Sequence, residues 1–315
     1  MDVEKNIAAI IGAGLIGRAW AVVFARAGWT VRLFDAVPAQ LTVARQQIVQ
    51  TLADQERVGL VGDAPAALTR IAPCTRLIEA VTDAAWVQEN LPEEVAIKQT
   101  AFAELDRLAS PGAILASSTS AIVASHFTAD LAGRARCLVA HPVNPPHLVP
   151  IVELCGAPWT SEATLDRARL TMESLGQVPI VVRREIEGFV LNRLQGALLT
   201  EAMRLVADGV VSPEDLDKTV RDGLGLRWSF MGPFETIELN APGGVADYCA
   251  RYSGLYRRLA ADPAPSSVWE GQSAERVAAA LGAPLTAAQR DQRTAWRDRR
   301  LLALRRHKLD IESKD

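Results

Sequence analysis

A chain of 315 residues is long enough for two hydrophobic cores. Its composition, 49% apolar and 23% charged with a net charge of −3, is that of a globular protein without the basic excess that draws nucleic acid. No apolar run approaches the ~20 residues of a membrane span. The charged start Met1-Asp2-Val3-Glu4-Lys5-Asn6 has neither the basic region nor the cleavage site of a secretion signal. The cysteines, at 74, 137, 155 and 249, are too scattered for a disulfide framework or a metal site. A protein of the reducing cytoplasm is expected, with buried thiols and no metal.

In chain order, the apolar run 7–11 reads as a strand ending at Gly12, residues 15–28 as a helix, and 30–34 as a second strand ending at Asp35. That is a βαβ unit, and such units imply a parallel sheet. Further strands are expected at 86–91, 113–117, 137–140, 151–154 and 178–182, with helices between most of them, notably 94–108 and 161–175. Beyond about residue 184 the strand signals stop. A long helix is expected at 187–208, and Ser212-Pro213-Glu214-Asp215 has the cap, proline and acids of another helix start. The basic segment 290–308 reads chiefly as the solvated face of a terminal helix. The fold class is therefore α/β: a Rossmann-type doubly wound domain over residues 1–185, then an all-helical domain over 186–315.

Gly12-Ala13-Gly14-Leu15-Ile16-Gly17 matches G-x-G-x-x-G between a strand and a helix, the context that gives the pattern its meaning. Gly12 permits a tight turn, Gly14 lets the backbone approach a pyrophosphate, and Gly17 allows close helix–strand packing, with Leu15 and Ile16 between them also expected at the cofactor. The helix start supplies free N–H groups for phosphate. Asp35 can accept the ribose hydroxyls and would repel a 2′-phosphate, so NAD is the expected cofactor.

Four polar residues mark the chemistry. His141 opens His141-Pro142-Val143-Asn144-Pro145-Pro146, whose prolines suggest a loop at a strand's carboxyl end, where open α/β sheets bind ligands. Glu153 lies inside an apolar strand, an expensive place for a carboxylate unless His141 pairs with it. Ser120 follows another strand end, and Asn192 interrupts the apolar series at the start of the long helix. Each has a structural alternative: a structural loop histidine, an arginine partner for Glu153, a helix cap for Ser120, a backbone bond for Asn192. Together, beside a dinucleotide fold, they suit alcohol oxidation, which needs a base near neutrality with an oriented tautomer.

At these residues the chain resembles the 3-hydroxyacyl-CoA dehydrogenase superfamily, and within it the branch of lambda-crystallin and L-gulonate 3-dehydrogenase. The resemblance is carried by Gln88-Glu89-Asn90-Leu91-Pro92-Glu93, the His141 segment, Gly188-Phe189-Val190-Leu191-Asn192-Arg193-Leu194, Gly223-Leu224-Gly225-Leu226-Arg227-Trp228 and Gly232-Pro233-Phe234-Glu235-Thr236. It implies Ser120, His141, Glu153 and Asn192 as the catalytic set, with His141 the base, Glu153 its orienting partner, and Ser120 and Asn192 donors to the reacting oxygen. It also implies Glu93 and Lys98 at the nicotinamide end of the cofactor and a homodimer; Arg227, in a loop-like Gly-Leu-Gly-Leu-Arg segment between two helices, could grip the substrate carboxylate with two parallel hydrogen bonds or brace the subunit contact. Acyl-CoA members usually carry His-Phe-Phe-Asn-Pro where this chain has His141-Pro142-Val143-Asn144-Pro145, and gulonate-type members often have an aromatic residue at the position of His147. The expected substrate is a small polar 3-hydroxy acid; a 3-hydroxyacyl-CoA, carnitine, or a non-catalytic NADH-binding role are the alternatives.

Overall fold

The computed structural model describes residues 6–312; the charged segment 1–5 lies outside them. Eight strands form one sheet: β1 (Ile7–Ile11), β2 (Thr30–Phe34), β3 (Ile71–Cys74), β4 (Trp86–Glu89), β5 (Ile114–Ser117), β6 (Cys137–Pro142), β7 (Ile151–Gly156) and β8 (Val178–Val182). Their order is β3-β2-β1-β4-β5-β6-β7-β8, parallel throughout except for the antiparallel pair β6–β7. β3 is not anticipated by the sequence, because Pro73 interrupts its four residues. It lies at the edge of the sheet, where proline's missing N–H costs no ladder bond.

The helices around it are α1 (Leu15–Arg26), α2 (Pro38–Arg57), α3 (Ala64–Thr69), α4 (Leu77–Val81), α5 (Val95–Leu108), α6 (Ser125–Thr128) and α7 (Glu162–Ser174). They cover both faces, which is why β1 is unbroken Ile-Ala-Ala-Ile-Ile rather than an alternating pattern. Ala8 and Ile10 pack with Trp20 and Phe24 of α1, Ile48 and Leu52 of α2 and Met172 of α7. Ile7, Ala9 and Ile11 face the opposite core, with Ala80 of α4, Phe102 and Leu105 of α5 and Phe127 of α6.

After β8 only helices follow: α8 (Leu191–Ala207), α9 (Pro213–Lys218), α10 (Gly225–Trp228), α11 (Pro233–Leu239), α12 (Gly244–Ala260), α13 (Gly271–Leu281) and α14 (Ala287–Glu312). Ser212 caps α9 as its sequence indicates, its hydroxyl accepting from the Asp215 amide. The chain divides into two compact units, Met1–Asn192 with Gln289–Asp315, and Arg193–Ala288. Most of the basic helix α14 therefore belongs to the first unit. There Leu302 is buried, Arg305 donates to the Gly176 carbonyl and Arg306 to that of Gly59. Among the described residues no helix is long and apolar enough to cross a membrane, and no cluster of three His, Cys, Asp or Glu could hold a metal ion.

Candidate active site

Residues 143–150 join β6 to β7 without a crossover helix, so the two strands run antiparallel and their opposed residues share a face. The register sets His141 opposite Glu153. His141 Nδ1 donates to Glu153 Oε2 at 2.8 Å, and both side chains are almost fully buried. This corrects the loop expected for His141: it is the penultimate residue of β6. The chain leaves the sheet only beyond Pro142.

The second carboxylate oxygen of Glu153 accepts from the amides of Val190 (2.8 Å) and Leu191 (3.0 Å), at the start of α8. Gly188 and Phe189, at φ 75° and 48°, turn the chain so that these amides face it. Phe189 is fully buried with its ring 5.6 Å from the imidazole. Burial pushes the Glu153 carboxyl up. The bonds from His141, Leu191 and Val190 outweigh burial and hold its pKa below the ordinary value, so it stays an anion. Asn192, one residue further, donates from Nδ2 to the Ser120 carbonyl at 2.8 Å. Ser120 itself is exposed just beyond β5. Within the first unit His141 is thus bonded to Glu153, Glu153 to the amides that precede Asn192, and Asn192 to the Ser120 backbone.

Glu93 closes the other side of the Ser120 segment. Its Oε1 accepts from the Thr119 hydroxyl and from the amides of Ser120 and Ala121, both at 3.0 Å. Burial raises its pKa, but the bonds from Thr119 and Ala121, the charge of Lys98 and the Ile122 amide bring it below the ordinary value. Lys98 is itself buried, bonded to Glu89 and Ser117. Glu89, Ser117 and Phe189 were not singled out by the sequence. Glu89, like Glu153, is a carboxylate inside a buried strand, Trp86-Val87-Gln88-Glu89.

The glycine turn fits a dinucleotide. A Cβ at Gly12, whose φ is 91°, would lie 2.8 Å from the Asn90 carbonyl oxygen, and one at Gly17 would lie 1.8 Å from that of Gly12. At Gly14 a Cβ would meet nothing within 4 Å, so that residue faces open space. No side chain caps α1, which leaves its first amides for an anion. Asp35 follows β2, its two oxygens accepting from the amides of Ala13 and Val37 at 2.8 Å each. Beside it a cavity of about 710 Å³ is walled by Phe34, Ala36, Leu77, Leu91, Ile97 and Ala101. Thr75, Arg76, Thr100 and Glu104 complete the wall, and a mainly apolar cavity next to Asp35 suits an adenosine.

Two family models match the chain: the NAD-binding domain of 3-hydroxyacyl-CoA dehydrogenase over residues 7–186, and the C-terminal domain of the same enzyme over residues 188–278. The chain belongs to the 3-hydroxyacyl-CoA dehydrogenase family. Its cofactor is NAD. The lambda-crystallin homolog of Bos taurus is 46% identical over 301 residues, 94% of each chain. The L-carnitine dehydrogenase/betainyl-CoA thioesterase of Ruegeria pomeroyi is 37% identical over 78% of this chain and 50% of its own length. Among solved structures, 5-formyl-3-hydroxy-2-methylpyridine 4-carboxylic acid 5-dehydrogenase, an NAD+-dependent dismutase, matches with a TM-score of 0.81 and 32% identity. That match covers 96% of this chain and 97% of the other.

His147 has a physical cost. His147 Nδ1 is buried with no hydrogen-bond partner. Burial, then the charges of Arg26, Arg18 and Arg297, push the imidazole down to about 3. Its folded pKa is depressed, so its contribution to stability is full above the ordinary value of 6.5 and is lost as pH falls towards 3. His147→Phe should therefore stabilise the protein by about 1–3 kcal/mol at pH 7, the usual cost of an unsatisfied buried group. Its advantage should widen at pH 5, and denaturant melts at the two pH values measure this. An equal gap at both would show that His147 takes up its proton as readily in the folded protein as in the unfolded chain.

Proposed function

We propose that this protein oxidises the 3-hydroxyl of a small polar 3-hydroxy acid, L-gulonate or a close analogue, to the 3-oxo acid while NAD is reduced. The His141–Glu153 pair carries the reading. With the Nδ1 hydrogen given to the carboxylate, the lone pair of Nε2 is the proton acceptor, and no described residue hydrogen-bonds that nitrogen. Bound NAD supplies the acceptor for the hydride. His141 takes the hydroxyl proton, Glu153 fixes the ring and stabilises the imidazolium that forms, and the Ser120 hydroxyl and Asn192 amide hold the reacting oxygen. Gly12, Gly14, Leu15, Ile16 and Gly17 bind the pyrophosphate, Asp35 the adenosine ribose, and Glu93 and Lys98 shape the nicotinamide end. NADH formation from L-gulonate, 3-hydroxybutyrate, L-carnitine and 3-hydroxybutyryl-CoA tests the substrate class. Turnover of the thioester or carnitine alone would move the assignment, and binding of NADH without any turnover would leave a non-catalytic protein.

Asp35→Ala should weaken NAD binding by about 1.5–3 kcal/mol and narrow the preference over NADP, since a charge-assisted hydrogen bond and a repulsive charge are both lost. Equal use of NAD and NADP by the unmodified protein would sink the ribose assignment.

The second unit exposes Phe230, Phe234, Leu239, Tyr256 and Leu259. A homodimer that buries apolar surface of this kind is part of the proposal. Arg227 lies here in the short helix α10, not in the loop its glycines suggest. It is exposed and close enough to Tyr248 to act on its charge. As the substrate carboxylate's partner it would offer a two-pronged grip that lysine cannot reproduce. Arg227→Lys should raise KM for the acid several-fold with NADH affinity and dimer mass unchanged. A monomer in light scattering would make it an interface residue, and an unmoved KM with the dimer intact would clear it of both roles.

A further inference from the structure

Gln88 and Asn90 stand two residues apart at the carboxyl end of β4, so their side chains share one face of the sheet. Both meet the hydroxyl of Ser118, the residue after β5. Ser118 Oγ donates to Asn90 Oδ1 at 2.7 Å and accepts from Gln88 Nε2 at 2.8 Å and from Trp20 Nε1 of α1 at 3.0 Å. One donor and two lone pairs are all a hydroxyl has. Asn90 Nδ2 donates to the carbonyls of Gln88 (2.9 Å) and Ile11 (3.2 Å). Gln88 Nε2 also donates to the Ala140 carbonyl at 3.4 Å, and Gln88 Oε1 accepts from Trp86 Nε1 at 2.8 Å. Every polar atom of these side chains has a partner. A buried network that is complete in this way fixes one arrangement of its members, while each bond adds little net stability.

The segments it joins are those of the site. Ile11 precedes Gly12 of the cofactor turn, Ser118 lies two residues before Ser120, and Ala140 precedes His141. β4 lies between β1 and β5, so its end can reach β1 on one side and, across β5, β6 on the other. The register of β5 with β6 stops at Ser117 and Val139, short of both Ser120 and His141. Beyond that point the side chains of Gln88 and Ser118 link the two strand ends.

We propose that Gln88, Asn90 and Ser118 are positioning residues, with the Ser118 hydroxyl as hub: their network holds the cofactor turn, the Ser120 segment and the end of β6 in one arrangement. They act on the reaction through Ser120 and His141. Where turnover is measured, the proposal rests on the reading of those two as site residues.

Ser118→Ala, Asn90→Ala and their double variant test it. In Ser118→Ala the Ser120 amide, which donates to Glu93 at 3.0 Å, should exchange hydrogen about tenfold faster or more, while the Val31 and Leu33 amides of β2 do not change. Turnover should fall by about 10²-fold, the cost of a misplacement near 1 Å. NADH affinity should hold, because Asn90 keeps both its carbonyl bonds. Asn90→Ala also cuts the tie to Ile11, so it should lose NADH affinity as well as turnover. In the double variant exchange and turnover should be no worse than in the worse single variant, since both changes break one network. If Ser118→Ala does not fold, Asn90→Ala carries the test, as Asn90 is half-buried just beyond the strand and its removal opens little of the core. It should show the same faster exchange at Ser120. Unchanged Ser120 exchange in a folded variant overturns the proposal and leaves the network a purely structural one. Losses that multiply in the double variant also overturn it, because the two residues would then act apart. The exchange measurement needs no substrate. Wild-type protein that oxidises nothing on the hydroxy acid panel would refute the proposed function and leave this inference to be decided by exchange alone.

Discussion

His141→Asn is expected to fold, to bind NADH as tightly as the unmodified protein, and to oxidise its substrate about 10²–10⁴-fold more slowly, the range set by positioned acid–base catalysis. Asparagine keeps the half of the histidine that faces the sheet. Its amide can donate to Glu153 Oε2 in place of Nδ1, and Glu153 Oε1 remains satisfied by the Val190 and Leu191 amides. No buried anion is stranded, so stability should change little. What asparagine lacks is a proton acceptor where Nε2 stands. Glu153→Gln sharpens the test. A glutamine amide can donate to Nδ1, which forces the hydrogen onto Nε2 and turns the base into a donor with the ring still in place. Both variants should lose turnover with KM for NAD nearly unchanged. Near-normal turnover in His141→Asn would place the base elsewhere.

What the sequence allowed, and what it hid, follows from the range of the interactions. The glycine turn and the run Ile-Ala-Ala-Ile-Ile are local signals: conformational freedom at Gly12 and burial on both faces of β1 leave their mark in adjacent residues. Glu153 was legible because a carboxylate inside an apolar strand demands a partner. The partner's setting was not, since the prolines after His141 suggest a loop. Only the antiparallel register, fixed by a connection too short for a crossover, shows that His141 still belongs to the strand. The double duty of Glu153, which also holds the start of α8, depends on left-handed backbone at Phe189, a residue whose identity gives no hint of it. Lys98 reads from the chain as a charge on a helix; its burial is set by β4 and β5, which lie at other points of the sequence. α14 joins the first unit through contacts to Gly59 and Gly176 that no local pattern announces.

The glycines of the cofactor turn give the second large effect, and they separate two roles that G-x-G-x-x-G runs together. Gly17→Ala would set a methyl group 1.8 Å from the Gly12 carbonyl oxygen and 3.4 Å from Asn90 Nδ2. The obstacle is backbone, with no flexible side chain to move aside, so α1 must shift away from the end of β1. Overpacking of this kind costs about 1–3 kcal/mol of stability. The shift also carries the first amides of α1 away from the phosphate, so NADH affinity should fall by about 100-fold or more, near 2.7 kcal/mol. Gly14→Ala is the counterpart. A methyl there meets nothing within 4 Å, and φ is −66°, which alanine adopts freely. Its thermal midpoint should therefore match the unmodified protein, while NADH affinity falls because the methyl occupies the space a pyrophosphate needs. Thermal melts with and without NADH resolve the pair: Gly17→Ala should lose stability in both, Gly14→Ala only the increment that NADH adds. If Gly14→Ala keeps the full increment, the pyrophosphate does not lie against this turn.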